Sequence, residues 1–419
     1  MKQKRQKLLV ISSYPSKGQI HGEKVVGVAS YAKNTLYSLA SQYKTIDITV
    51  LAEKLEDEED YREKRISVRR VWTRNSFSAF PNLLREIFKK HKDTKNILIE
   101  FELAMFGDIL FLLPFPILLL FLTLAGKEIT IVMHQVIADI NELHGHINIS
   151  NKSSKASAMN FMMRTFYRIL FLFSKKIIVF EEVLKDDLQP FGNKKDVVVI
   201  PHGVETIKKI PKLIARKKLR LKKKQFVALS FGFIAWYKGT DLLIHAFRKY
   251  ISNNKRNAHY KLIIAGGPNP NHLDKEFYIR YVKSITKESR AHGIRLTGFV
   301  PEKEIPFYYV SSDVIVFSYR TFMSASGPLS IAFACKKPFL ISNSLKDLLK
   351  THDIKEALSL TTLTPEDLIF SDGITLRKQL MRIEKNATLR KKMVEFSTKI
   401  AKMRSWKHIA TAYYEQIFE

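Results

Sequence analysis

The segment FGFIAWYKGTDLLIHAF (Phe231–Phe247) sets Lys238 and Gly239 between a strand-like apolar run and an amphipathic helical pattern. An ammonium at that point can reach phosphate oxygens, and a glycine beside it lets the backbone approach them closely. A surface lysine before a turn would have the same local sequence. Downstream, SASGPLSIAFACKKPFLIS (Ser324–Ser342) puts Ser326 and Gly327 just ahead of Pro328. Proline favours the first turn of a helix, and small residues before it leave backbone N–H groups at the positive end of the helix dipole. Such a start suits a diphosphate, and it equally suits an ordinary N-cap. In the first half, His134 ends the run EITIVMH. The carboxyl end of a parallel strand is where α/β sheets hold ligands, although a loop histidine hydrogen-bonded for structure is the alternative.

These residues need elements to position them, and the chain supplies an alternation of strands and helices. Strands are expected at Leu8–Ser13, Ile46–Ala52, Ile66–Val71, Ile97–Phe101, Ile129–Met133, Lys176–Phe180 and Val197–Ile200, with a helix over about Val28–Ser41 after the first. A polar, strongly basic stretch, IKKIPKLIARKKLRLKKK, then interrupts the pattern. The alternation restarts with Phe226–Phe231, Lys261–Ala265, Ile294–Leu296, Val314–Phe317 and Pro338–Ile341. Short apolar strands separated by helices predict parallel sheets covered on both faces. The expected organisation is an N-terminal Rossmann-like domain over 1–205, a basic linker over 206–224, a second Rossmann-like domain over 225–395, and a closing helix over 396–419.

Composition agrees with two globular domains, because 419 residues exceed what one hydrophobic core normally supports. The 70 Lys and Arg against 40 Asp and Glu give a formal charge of +30, which either reflects a lysine bias spread along the whole chain or serves to attract polyanions or an anionic membrane surface. No nucleic-acid-reading module accompanies that charge, so no specific nucleic-acid partner is expected. A single cysteine, Cys335, excludes an internal disulfide and a cysteine-rich zinc site, as in a reducing compartment. The opening MKQKRQKLLVISSYP has too short an apolar run for a secretory signal and is taken as a strand. The expected location is cytoplasmic, either free or peripheral on the cytoplasmic face of a membrane.

Six segments, taken in order, resemble the retaining GT-B glycosyltransferases of family 4. They are VASYAKNTL, VIPHGVE, GFIAWYKGTDLLIHAF, LIIAGGP, LTGFVPEKEIPFYYVSSDVIVFSYR, and the SGP helix with ACKKP. The resemblance implies two Rossmann-like domains with parallel sheets facing across a cleft, and transfer of a sugar from a nucleotide diphosphate sugar to a glycan or lipid-linked acceptor. It implies no metal and no cofactor beyond the nucleotide sugar as co-substrate. Lys238 matches the family's diphosphate-gripping lysine, while Phe233 stands where the family has arginine, a role that Arg320 is available to take. His134 matches a histidine near the transferred sugar. Gly27 matches a glycine facing donor and acceptor, with Val26 in place of its companion glycine. Gly239, Ser326 and Gly327 fall at the phosphates, and Phe299 and Val300 near the base. The family's two glutamates fall at Met323 and Ile331, so this chain resembles a divergent branch that keeps phosphate-binding amides without the carboxylates.

Two further segments are apolar enough to matter. ILFLLPFPILLLFLTLAG (Ile109–Gly126) approaches the length of a membrane span but is broken by Pro114 and Pro116, and a buried or interface-dipping helix is expected. Met159, Met162, Met163, Phe166, Leu170 and Phe173 recur at helical spacing beside Arg164, Arg168 and Lys175. That stripe suits core packing or an anionic membrane surface.

Overall fold

The computed structural model describes residues 5–19, 27–56, 58–143, 153–252, 259–269, 272–322, 324 and 326–419. Two sheets, each flanked by helices, form two α/β domains. The N-terminal sheet contains β1 (Gln6–Ile11), β2 (Ile46–Glu53), β3 (Tyr61–Glu63), β4 (Ile66–Trp72), β5 (Asn96–Phe101), β6 (Glu128–Met133), β7 (Lys176–Val179) and β8 (Val197–Val199). Its order is β3-β4-β2-β1-β5-β6-β7-β8, parallel except for the β3–β4 pair. The second sheet holds β9 (Phe226–Phe231), β10 (Tyr260–Ala265), β11 (Ile294–Leu296), β12 (Val314–Phe317), β13 (Phe339–Ser342) and β14 (Ile369–Phe370), all parallel, in the order β11-β10-β9-β12-β13-β14.

Strand order reverses between β1 and β5 in the first sheet and between β9 and β12 in the second. Crevices form beyond the carboxyl ends of strands at such reversals. The loops that carry chemistry should therefore follow β1, β5, β6, β9 and β12.

Parallel strands buried on both faces read as continuous apolar runs, and β1, β5, β6, β9, β10 and β12 are almost wholly buried. Two apolar clusters cover the two faces of the N-terminal sheet and a third fills the C-terminal domain. The chain crosses between domains twice, side by side: Val204 pairs with Ser405, and the Val204 amide donates to the Arg404 carbonyl at 2.7 Å. After the second crossing, the helix Trp406–Phe418 packs on the helix Val28–Gln42 of the N-terminal domain. Tyr43 stacks on Tyr414 at 3.9 Å, and the hydroxyls of Tyr31 and Tyr413 lie 2.8 Å apart.

The basic stretch expected as a linker contains a helix, Lys212–Lys218, that belongs to the C-terminal domain. Arg216 is buried there because its guanidinium bonds to Asp313 and to the carbonyls of Ser311 and Lys223 at 2.6–3.0 Å. Asp313 also accepts from the β9 backbone at Val227, so this charge cluster ties the helix to the sheet. The last helix of the C-terminal domain runs over Ala387–Met403, and the crossing back falls at Arg404–Ser405 rather than at 396.

Candidate functional site

Lys238 closes a short helical turn, Trp236–Lys238, after β9, and Gly239 follows in the left-handed region at φ 63°. A Cβ on Gly239 would meet the Ser318 carbonyl at 2.1 Å, so only glycine lets this turn sit against the end of β12. Ser318 completes the join by donating to the Lys238 carbonyl at 2.9 Å. The Lys238 ammonium lies 2.6 Å from the position a Cβ on Gly232 would occupy, and Pro328 Cγ is 3.7 Å from the same point. The lysine and the start of the helix Gly327–Ala334 are thus neighbours.

Among the described residues, no hydrogen-bond or ion-pair partner of the Lys238 ammonium is found, and burial lowers its pKa to about 8. A desolvated cation without a counter-charge is arranged for a ligand that brings one.

Ser326 caps the helix Gly327–Ala334, its Oγ accepting from the Leu329 amide at 3.3 Å. The ordinary capping role is therefore realised, and it uses one of the orphan amides. Pro328 has no N–H, and among the described residues no acceptor is found for the Gly327 amide, with nothing within 4 Å of where its Cβ would be.

Arg320 occupies a different place from the one expected. Its guanidinium makes two bonds to Asp241, at 2.6 and 3.0 Å, donates to the Trp236 carbonyl at 2.5 Å and lies 4.8 Å from the Trp236 ring. Its charge is already matched, so it acts on the site by bracing the turn that carries Lys238. Phe233, where an arginine was anticipated, is exposed. Phe299 is exposed and Val300 buried; Phe299 lies beside Gly267, whose Cβ would come within 3.0 Å of the Phe299 amide. Ile331, the second missing glutamate, is partly buried against the C-terminal core. Met323 and Val26 lie outside the described residues.

On the other side of the cleft, His134 follows β6, its amide donating to the Phe101 carbonyl at 2.9 Å. Nε2 meets Oε2 of the fully buried Glu100 at 2.7 Å, and the ring packs edge-on against Tyr31 and Phe180 at 5.0 Å. A carboxylate on one ring nitrogen fixes the imidazole's orientation and leaves Nδ1 for other work. Gly27 precedes the helix Val28–Gln42 with open space around it.

Glu102, which no motif marks, lies beside His134. Phe101 pairs with Met133 in register, so Glu102 and His134 are the next residues on adjacent strands. Burial raises the Glu102 pKa, opposed by His134 and Arg74; burial likewise raises the pKa of Tyr237 in the other domain, with the charges of Tyr319 and Glu102 adding to it. No hydrogen-bond partner of its carboxylate is found among the described residues. The available signal was IEFE at the end of one strand, followed by a neighbouring strand ending in histidine.

The domains meet around these groups. Gln135 bridges to Ser324, and Thr321 donates to Glu142 at 2.7 Å. Ser330 and His202 are 3.0 Å apart. The segment after His134 thus meets the segment before the helix Gly327–Ala334, and Glu102 lies close enough to Tyr237, next to Lys238, for its charge to act there.

Residues 211–350 match the family model described as Glycosyl transferases group 1, a span that includes Lys238 and Gly327. No curated protein matches the chain at a significant level. Among solved structures, sucrose-phosphate synthase from Thermosynechococcus elongatus is 17% identical over 99% of each chain, with a TM-score of 0.73. Trehalose-6-phosphate synthase OtsA is 12% identical over 98% of this chain and 99% of its own, at 0.71. Anabaena HepE in complex with UDP-glucose is 14% identical over 98% and 99%, at 0.65. The fold is GT-B, two parallel-sheet α/β domains with a cleft between them.

Proposed function

We propose that the protein is a glycosyltransferase that moves a sugar from a nucleotide diphosphate sugar to a glycan or lipid-linked acceptor with retention of configuration. The observation that carries this reading is the half-buried Lys238 ammonium, without a described partner, beside the Gly327 helix start. As the anomeric carbon–oxygen bond breaks, negative charge develops on the leaving diphosphate. Fixed cations and amide dipoles lower the energy of that state because they need no reorganisation. In this reading His134, oriented by Glu100, holds the transferred sugar, and Glu102 accepts a hydrogen bond from an acceptor hydroxyl. Gly27 lets donor and acceptor approach the N-terminal wall, while Phe299 and Val300 border the base. No metal enters this scheme.

Because HepE is seen with UDP and UDP-glucose, uridine donors head the panel to be tried. Thermal unfolding is recorded with a panel of nucleotide sugars, since a ligand of the native state raises the midpoint by mass action. At least one should stabilise the wild type and fail to stabilise Lys238→Ala. A panel that shifts neither protein would remove the donor assignment. Phe233 and Ile331, in place of arginine and glutamate, favour a second reading, a GT-B scaffold that binds nucleotide without turnover.

A further inference from the structure

We propose that the outward face of the helices Ile109–Leu112 and Phe115–Leu124, together with exposed side chains of the neighbouring helix Ser154–Phe173, is an insertion surface for an anionic lipid bilayer. Leu113, Ile117, Leu120, Phe121 and Leu124 are 63, 53, 40, 47 and 74% exposed, and their spacing places them on one side of a helix. The opposite side, Phe115, Leu118, Leu119 and Leu122, is fully buried. A helix whose inner side packs a core normally turns a polar side outward, and this one does not. Ile109 and Leu110 extend the surface, and on the adjacent helix Phe161 and Leu172 are 70 and 73% exposed.

The methionine and phenylalanine stripe on the long helix is the other candidate for this role. Of that stripe Met163 and Leu170 are buried and Met159, Phe166 and Phe173 pack partly against the core, while Met162 is exposed, so insertion passes chiefly to the shorter helices.

Charge selects the occupant. The helix Ser154–Phe173 has no Asp or Glu and exposes Lys155, Arg164 and Arg168, while the helix Ala79–Lys90, which packs against Phe115–Leu124, ends in exposed Lys89 and Lys90. An apolar face with a basic rim fits anionic head groups above acyl chains. A second copy of a chain carrying +30 would set like charge against like. Among the described residues no helix is long and apolar enough to cross a membrane, so the surface lies on the bilayer. Only the turn over residues 103–108 separates Ile109 from Glu102 at the cleft. The surface would therefore bring the cleft to an acceptor anchored in lipid, a consequence that rests on the transferase reading above.

The test is co-sedimentation with phosphatidylcholine vesicles, with and without phosphatidylglycerol, comparing wild type, Leu113→Asp/Leu124→Asp and, as control, Leu213→Asp on the exposed helix Lys212–Lys218. Wild type and control should bind the phosphatidylglycerol vesicles and release with salt, and the double variant should bind about tenfold more weakly or worse. Unchanged binding by the double variant, or no preference for anionic vesicles, overturns the proposal. So does a wild-type dimer in light scattering that the same substitutions disperse. UDP affinity, read by calorimetry, should be the same in all three proteins. Failure of UDP to bind any of them would sink the donor assignment and leave the docking surface standing. With a membrane lipid extract and UDP-glucose, the double variant should release UDP more slowly; equal release would overturn the lipid-anchored acceptor.

Discussion

Burial holds the Lys238 ammonium at a pKa of about 8, close enough to neutral pH for its charge to be adjustable. The protonated form attracts a diphosphate and the neutral form does not, so nucleoside diphosphate affinity should fall as pH rises through 8 and then beyond. Calorimetry across that range should give a steep curve for the wild type and a flat one for Lys238→Ala. At pH 7 the same substitution should cost about 1–3 kcal/mol of binding, the scale of one lost charge-assisted contact. Equal affinities would take Lys238 out of the donor site. Glu102 makes a complementary prediction on the opposite wall. Glu102→Gln should leave nucleotide affinity unchanged while slowing transfer, and should alter the acidic limb of the rate profile, since burial raises this carboxyl. A variant with wild-type rates at every pH would show that the carboxylate serves only the fold.

The elements were legible where physics leaves a period or a run. All twelve strands expected from apolar segments are present: most are covered on both faces and read as apolar runs, while β4 shows the alternation of a half-covered strand. Tyr61–Glu63 was missed: it pairs antiparallel at the sheet edge, half exposed, and carries no apolar run. Ile369–Phe370, two residues long, gives no pattern at all. The helix Lys212–Lys218 hid within a basic stretch because Arg216 is buried by bonding to backbone carbonyls, a satisfaction no local pattern announces. In the site, Lys238, Gly239 and the Ser326–Pro328 start could be read from local chemistry. The Glu100–His134 pair and the capture of Arg320 by Asp241 could not, since each joins residues distant in sequence. The turn at Gly239 allows a sharp check on the element that was read. Gly239→Ala must adopt φ near 63° and drive a Cβ into the Ser318 carbonyl, so urea unfolding should show a loss of about 2 kcal/mol or more. A neutral substitution would contradict the placement of this turn.

Across the whole molecule, a buried ion cluster joins the domains at their crossing. Arg404 bonds to Glu181 of the N-terminal domain at 2.8 Å and to Asp353 of the C-terminal domain at 2.6 Å, and Thr351 donates to Glu181 at 2.6 Å. Arg404→Ala would strand two acidic groups and should cost about 3–5 kcal/mol in denaturant unfolding. Beside it, burial lowers the His202 pKa to about 4 from 6.5. Between those values the unfolded chain takes up a proton that the folded chain refuses, so stability should fall as pH drops from 6.5 toward 4 and be fully retained above 6.5. His202→Gln should reduce that slope; an unchanged slope would assign the acid sensitivity elsewhere. The crossing matters because it joins the domain that carries His134 and Glu102 to the one that carries Lys238, and the transferase proposed above would need both together. The most direct measurement of that joint action is nucleoside diphosphate release from nucleotide sugars supplied with a membrane lipid extract, in wild type, His134→Ala and Lys238→Ala. A working transferase should release diphosphate with at least one donor and lose that release in both variants. A donor that binds the wild type yet gives no release above the variants' background would contradict the account and leave a nucleotide-binding scaffold in its place.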